Sequence, residues 1–533
     1  MVAHYGIPTP PPALGRSRVT HKLELSPQEK VKLRLALFAF FAACLTTLLL
    51  LVNVVSSPEG LPTHDEYHSQ GTIFGSSELG PTAKGSISVS WASYSPYHPA
   101  GKFEGSTREG CVVSQVSILQ RHGARYPTTG VAKAIIKALK KLQAAASYDD
   151  PKLHFLKNYT YDLGVNDLLK YGADQSYALG EETFKRYRTL VSGSGNVPFV
   201  RASGSKRVVL SARNWTLGFS AASEETYHSK VNLVIPETPG SNNTLGNKMC
   251  PAAASSRGET EAFIDVAAQH ITARLNSAAP GANLKPRDVY AIMHLCPFDT
   301  VAKERLSPFC PIFSKEDFEI YEYAGDLEKF YNTGHALYLL YGGPLGAVQG
   351  VGYVNELIGR LTNSPAHHGL QTNKTLLSSP KTFPLNRTMY VDFSHDNLIV
   401  AVFAAMGLFN QTNGPLDTTR IVKDRTWIAS KMVPFSGHMT VERLSCSDHP
   451  PFLATSRSRP MRWWKWVGVD ETEDYHENNQ EYVRIFVNDV RQPLVFCGAG
   501  EDGMCKLEDF VKSQEYARND GFGDFEGCKY TGR

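Results

Sequence analysis

Residues 111–127 read CVVSQVSILQRHGARYP, and the change of pattern at Gln120 decides the fold. The run over 112–120 is short, β-branched and apolar, which predicts a strand. QRHGARYP follows at once, so Arg121, His122 and Arg125 stand on a loop leaving the strand's carboxyl end, where ligands collect in α/β folds. Residues 131–146 (VAKAIIKALKKLQAAA) then place apolar side chains at helical spacing with lysines on the opposite side. Strand, loop and helix recur at 198–207, and again at 388–394 (TMYVDFS) before an apolar helix over 398–409. Such alternation predicts an α/β core. Between about 214 and 342 helical signals dominate, as in 259–277 and 315–340, and a mostly helical cap is expected there.

Two arginines within four residues of a histidine make a site for a dianion, because each planar guanidinium can give two charge-assisted hydrogen bonds to phosphoryl oxygens. The same positive field disfavours imidazolium and keeps His122 neutral and nucleophilic in acid. It also repels a metal ion, so no metal is expected on His122. At the second loop, residues 394–397 read SHDN. His395 can give a further hydrogen bond to a phosphoryl group, and Asp396 is placed to protonate an alkoxide leaving group. The plainer alternative is that Asp396 or Asn397 caps the helix from 398, and capping and catalysis are compatible. Neither a Gly-x-x-x-x-Gly-Lys-Ser/Thr loop nor a His-Glu-x-x-His pair occurs, which leaves nucleotide hydrolysis and zinc proteolysis without a motif.

The chain has 533 residues, 42% of them hydrophobic and 20% charged, enough for a large core in one or two domains. Lys plus Arg number 55 against 52 Asp plus Glu, too even for a nucleic-acid footprint over the whole chain. The excess is local. Residues 1–34 hold Arg16, Arg18, Lys22, Lys30, Lys32 and Arg34 against Glu24 and Glu29, a basic cytoplasmic tail. Residues 35–55, LALFAFFAACLTTLLLLVNVV, carry no charge and are long enough as a helix to cross a hydrocarbon core of about 30 Å. A single-pass type II signal anchor is expected, with residues 56–533 extracellular or lumenal. If 35–55 were instead a cleaved signal, the protein would be secreted.

Cys44 lies in the span and the other eight cysteines follow it, an even number that suits disulfides in an oxidising compartment; spacing alone selects no pairing. Six Asn-x-Ser/Thr acceptors for glycosylation, Asn158, Asn214, Asn242, Asn373, Asn386 and Asn410, also lie only after the span. Residues 56–110, dense in Ser, Gly, Pro, Thr and His, read as a stalk, with the folded body beginning near Cys111. Residues 462–480, RWWKWVGVDETEDYHENNQ, turn from aromatic and basic to acidic; they read as a surface insertion, with contact to lipid headgroups the alternative.

Taken together, the two loops resemble the histidine acid phosphatase family, and more closely its fungal phytase branch. The likeness extends over nearly all of the chain after the span: besides the first loop it includes VRASGSKRVV (from Val200), SNNTL (from Ser241), LSPFC (from Leu306), GPLGAVQGVGYVNELIGRLTNSP (from Gly343), YVDFSHDN (from Tyr390), VPFSGHMTVERLSC (from Val433) and VRIFVND (from Val483). The resemblance implies an α/β histidine phosphatase fold, a mixed central sheet flanked by helices with a helical cap, over 111–533. It implies His122 as the nucleophile that forms a phosphohistidine, Arg121, Arg125 and Arg201 as phosphate-binding arginines, His395 as a fourth phosphate ligand and Asp396 as proton donor. No cofactor is implied. The family's disulfides would pair Cys111 with Cys446, Cys250 with Cys528, Cys296 with Cys310, and Cys497 with Cys505.

The chain departs from that pattern in four ways, one being a stretch from about 450 to 480 longer than its counterpart. An N-terminal Cys pair upstream of the first strand is missing. Val131 stands where several phytases have Lys, although Lys303 and Arg305 precede LSPFC and keep some positive charge there. The membrane span is not the usual secreted arrangement. The expected activity is hydrolysis of phosphate monoesters, inositol hexakisphosphate among them. A broader acid phosphatase is the near alternative, and a non-catalytic protein that binds phosphate or inositol phosphates is another. A mutase on the same fold fits poorly with the span and the glycosylation acceptors.

Overall fold

The computed structural model describes residues 90–530, apart from 192–195, 247, 254, 334–344, 368, 370, 412–413 and 448–478. Its first strand, β1 (Cys111–Arg121), leads into α1 (Thr129–Gln143) and α2 (Lys170–Tyr187). Then come β2 (Phe199–Ser203), α3 (Lys206–Ala222) and β3 (Val231–Ile235). A helical stretch follows: α4 (Arg257–Ala267), α5 (Gln269–Ala278), α6 (Pro286–Met293), α7 (Leu295–Lys303), α8 (Lys315–Thr333) and α9 (Val351–Leu361). The chain returns through β4 (Met389–Ser394), α10 (Asp396–Met406), β5 (His438–Cys446), β6 (Gln480–Val487), β7 (Val490–Arg491), β8 (Cys505–Lys506) and α11 (Leu507–Ser513). Short helical turns fill several of the links.

The strands form one mixed sheet in the order β3-β2-β4-β1-β5-β6-β7, with β8 also against β6. Its β3-β2-β4-β1 half is parallel and the rest antiparallel. The parallel half sets the site, because β1, β2 and β4 end on the same side and their outgoing loops converge. Helix α10 reads DNLIVAVFAAM, and every residue from Leu398 to Met406 is buried, as a helix apolar on all sides must be. Gly407, with φ +79°, ends it in the left-handed conformation.

Four disulfides join Cys111–Cys446, Cys250–Cys528, Cys296–Cys310 and Cys497–Cys505, the same four pairs that the resemblance implies. The first links residues directly opposite each other on β1 and β5.

Two boundaries move. The folded body does not wait for Cys111: Trp91 is wholly buried, the Ala92 N–H donates to Glu322 Oε2 at 2.6 Å, and the Phe435 N–H donates to the Ser95 carbonyl at 2.9 Å. Aromatic side chains in WASYSPYH draw this segment into the core, which a reading from Ser, Gly and Pro content misses. The cap also starts later than 214, since α3 packs Trp215 and Phe219 against the sheet and β3 pairs with β2 inside it. Of what remains, α4, α6 and α8 face the carboxyl ends of the parallel strands across a cavity. The stretch read as one helix over 259–277 is two, α4 and α5, divided at Ala268.

The basic tail 1–34, the apolar run 35–55 with Cys44, and nearly all of the Trp-rich stretch 462–480 lie outside the described residues. Among the described residues no helix is long and apolar enough to cross a membrane. The six glycosylation acceptors separate into two groups. Asn158, Asn386 and Asn410 are exposed. The amides of Asn214, Asn242 and Asn373 are half-buried and donate to the carbonyls of Leu210, Thr372 and Ser241.

Candidate active site

His122 follows the last residue of β1 and is 1% exposed. Its loop lies tight on α2: a Cβ added at Gly123 would come within 2.0 Å of the Gly172 carbonyl, so only glycine fits. Nδ1 of His122 is 2.9 Å from the Gly123 carbonyl, which can only accept, so Nδ1 carries the hydrogen and Nε2 keeps its lone pair. Burial and then the charges of Arg121, Arg125 and Arg207 hold the imidazole well below its usual pKa. The result is a neutral ring in a positive field.

Arg121 ends β1 with a fully buried side chain, and burial lowers its pKa to about 10. Its Nη1 donates to the carbonyls of Ser93 and Val433, and its guanidinium lies over the Phe435 ring. Nη2 donates to Asp396 Oδ2 at 3.0 Å. The guanidinium is thereby fixed from three sides. Arg125, anchored to the Tyr126 carbonyl, lines the cavity beside His122.

Asp396 is the first residue of α10, where the helix dipole favours a carboxylate. The residue at the N-cap is His395, which makes no side-chain cap. Asp396 Oδ1 does accept from the Asn397 N–H, while Oδ2 accepts from both Arg121 and Lys329 Nζ at 3.0 Å. Burial pushes this carboxyl up, but Arg121, Lys329 and Arg125 outweigh it and hold it well below the usual range. His395 lies 5.7 Å from His122 between ring centres.

Arg201 is elsewhere. It sits in the middle of β2, directly opposite Asp392 on β4, and donates to Asp392 Oδ1 at 2.7 Å and Glu356 Oε2 at 2.7 Å. Arg360 Nη1 completes this buried cluster on Asp392 Oδ2 at 2.6 Å. With both carboxylates as partners and 1% exposure, Arg201 does not reach the cavity. The arginine that does is Arg207, in the first turn of α3, with Nη2 3.3 Å from His395 Nδ1. The rule that pointed to QRHGARYP also points to Arg207, since it follows the carboxyl end of β2 whereas Arg201 lies inside the strand.

Two further residues escaped the sequence reading. Lys329 on α8 is buried and bonds both Asp396 and Asn397 Oδ1, the latter at 2.8 Å. Glu237, just after β3, accepts from His395 Nε2 at 2.7 Å. Nothing nearby in sequence marks either one. Val131 lines the cavity, but Lys303 does not: its Nζ is paired with Asp299 at 2.9 Å and Asp162 at 3.2 Å.

The cavity above His122 has a volume of about 760 Å³ and runs from the strand ends to α1, α4, α6 and α8. Lys248, Arg257 and Lys329 add positive charge along its wall, opposed by Glu237, Glu328 and Asp396, while Arg287 is paired with Glu261 and Asp265. Among the described residues no group of His, Cys, Asp and Glu is arranged to hold a metal ion. A buried neutral imidazole with a free Nε2, ringed by guanidinium groups and adjoining a carboxyl, is equipped to accept a phosphoryl group and return it to water.

Residues 112–488 match the family model of the histidine phosphatase superfamily (branch 2), and the chain belongs to that superfamily. Within it, the chain is an enzyme of the histidine acid phosphatase and phytase family. It is 36% identical over 501 residues to Phytase A of Aspergillus oryzae, an alignment covering 90% of this chain and 98% of that one. It is 37% identical over 456 residues to Phytase A of Arthroderma benhamiae, covering 83% and 92%. Two solved structures share the fold. The phytase from D. castellii aligns with a TM-score of 0.63 at 21% identity, covering 84% of this chain and 88% of that one. The Bifidobacterium longum multiple inositol polyphosphate phosphatase in complex with phosphate aligns with a TM-score of 0.57 at 14% identity, covering 81% and 98%.

Proposed function

We propose that this enzyme hydrolyses phosphate monoesters, inositol hexakisphosphate among them, through a phosphohistidine on His122, and that residues 35–55 anchor it in a membrane. The observation that carries the chemistry is the buried, neutral His122 facing a large cavity lined by Arg125 and Arg207, with the charge of the fully buried Arg121 behind it. Nε2 attacks phosphorus, the ester P–O bond breaks, and Asp396 gives its proton to the departing alkoxide oxygen. Water then attacks the phosphohistidine, losing a proton to Asp396 as inorganic phosphate leaves. Positioned guanidinium charge stabilises the loose phosphoryl-transfer transition state throughout.

Asp396 must carry a proton to act as acid, yet the free enzyme holds it ionised. Substrate resolves this. A bound phosphoryl group takes up a hydrogen bond from Lys329, which lines the cavity, and adds negative charge beside the carboxyl, and both changes raise its affinity for a proton. The cations Lys248 and Arg257 farther along the wall suit a substrate bearing several phosphates, and the Phytase A relatives support the same substrate class.

The test is release of phosphate by the purified full chain from inositol hexakisphosphate and from an aryl phosphate, across pH. Turnover at saturating substrate should fall as pH rises and Asp396 loses its proton in the complex. The limb due to His122 protonation should lie well below 6.5, because its pKa is depressed. Equal rates from mildly acid to alkaline pH would reject the assignment of Asp396. A higher specificity constant for the aryl ester would favour the broad acid phosphatase.

The anchor rests on the 21 uncharged residues over 35–55 behind a basic head. The four disulfides fit an oxidising compartment on the far side of that membrane. The expressed chain should stay in the pellet after alkaline carbonate extraction. Recovery in the supernatant, with a new N-terminus after residue 55, would show instead that the segment is cleaved.

A further inference from the structure

Both ring nitrogens of His395 face partners that have only one hydrogen-bonding role. Nε2 is 2.7 Å from Glu237 Oε1, and an ionised carboxylate only accepts. Nδ1 is 3.3 Å from Arg207 Nη2, and a guanidinium only donates. The hydrogen therefore sits on Nε2, and the Nδ1 lone pair accepts from Arg207, which lines the cavity beside it. Glu237 is itself held in place, since Oε1 also accepts from Ser203 Oγ at 2.7 Å and the Ser205 N–H at 3.1 Å, and Lys248 Nζ lies 3.4 Å from Oε2.

We infer that Glu237 is a positioning residue that locks His395 as a hydrogen-bond acceptor, so that the site takes up a phosphate monoester in its singly protonated form. This deepens the proposed phosphomonoesterase reading and rests on it. A phosphoryl group that draws the Arg207 donors to its own oxygens leaves the Nδ1 lone pair without a hydrogen, and a dianion would then place two acceptors face to face. A monoanion supplies the missing hydrogen, P–OH to Nδ1, while its remaining oxygens take the donors of Arg125 and Arg207. His395 thus contributes one acceptor to a ring otherwise made of donors.

The other groups around the ring leave this arrangement unchanged near neutrality. Arg207 comes from α3, Arg125 from the loop after β1, and Lys248 from beyond Glu237; Lys329 reaches Asp396 from α8. His122 and Asp396 are both held well below their usual values, as is Glu237, whose own burial is outweighed by His395, Ser203 and Lys248.

Two measurements on the full chain test this. Long-range ¹H–¹⁵N spectra of histidine-labelled enzyme, with the His395 signals assigned by their loss in His395→Gln, report which ring nitrogen carries the hydrogen. Nε2–H is expected in the native chain and in Glu237→Gln, whose Oε1 still accepts; Glu237→Leu should lose that preference. With phosphotyrosine as substrate, whose second phosphate ionisation lies near ~6, KM should rise about tenfold per pH unit above that value. Glu237→Gln should keep that slope and Glu237→Leu should flatten it. A hydrogen on Nδ1 in the native chain, a flat native KM between pH 6 and 8, or an unaltered slope in Glu237→Leu would overturn the inference. If the native chain turned over no phosphate ester, the phosphomonoesterase reading would fail, and the ring-nitrogen spectra would still decide the tautomer.

Discussion

His122→Ala is expected to lower turnover of phosphate monoesters by about four to six orders of magnitude, the scale on which loss of an enzyme nucleophile is felt. The change deletes the attacking lone pair and leaves the field around it intact. Arg121 stays fixed by Ser93, Val433 and Asp396, and Arg125 by the Tyr126 carbonyl, so the ring of donors persists without the imidazole. Binding and chemistry should therefore separate: inorganic phosphate should still raise the melting temperature of the variant by mass action, while phosphate release stops. The native enzyme, quenched under alkaline conditions during turnover of ³²P-labelled substrate, should carry label on the peptide containing His122. Phosphate release by the alanine variant at more than about a hundredth of the native rate, or label on another residue, would rule out this histidine as the nucleophile.

Much of this site was legible because its residues sit where a strand gives way to a loop, and that transition leaves a local signature. Residues 112–120 and 388–394 change from apolar and β-branched to polar at the positions where β1 and β4 end, and His122, His395 and Asp396 follow directly. Local pattern cannot show which distant side chains meet them. Lys329 reaches Asp396 from a helix 67 residues earlier in the chain, and Glu237 reaches His395 across 158 residues. Strand β3 escaped notice because its five residues, VNLVI, lie at the sheet edge with alternating exposure, too short a pattern to outweigh the helices around it. The segment 91–98 was hidden by its composition, although its one tryptophan and two tyrosines hold the material for burial.

The two arginines of VRASGSKRVV should fail in opposite ways when changed to methionine. Arg201→Met leaves Asp392 and Glu356 buried with Arg360 as the remaining cation of the cluster, and breaking a buried ion network from one side costs about 3–5 kcal/mol. A large fall in the denaturant midpoint is expected. Adding Glu356→Gln should recover part of that loss, because it removes one of the stranded charges, and a double-mutant cycle measures the coupling. Arg207→Met meets the reverse situation. Burial and then the charge of Arg125 lower the pKa of Arg207, so folding works against this cation, and its removal should leave stability unchanged or slightly raised. Catalysis should suffer instead, with kcat/KM reduced about 10²–10³-fold for the loss of one positioned donor to the transition state. Unaltered kcat/KM in Arg207→Met, together with lost activity at native stability in Arg201→Met, would return the phosphate to Arg201. The distinction lies in where donors are already spent: the Arg201 guanidinium is shared between two carboxylates, whereas Arg207, whose hydrogen bond goes to the His395 ring on the cavity wall, has donors to give.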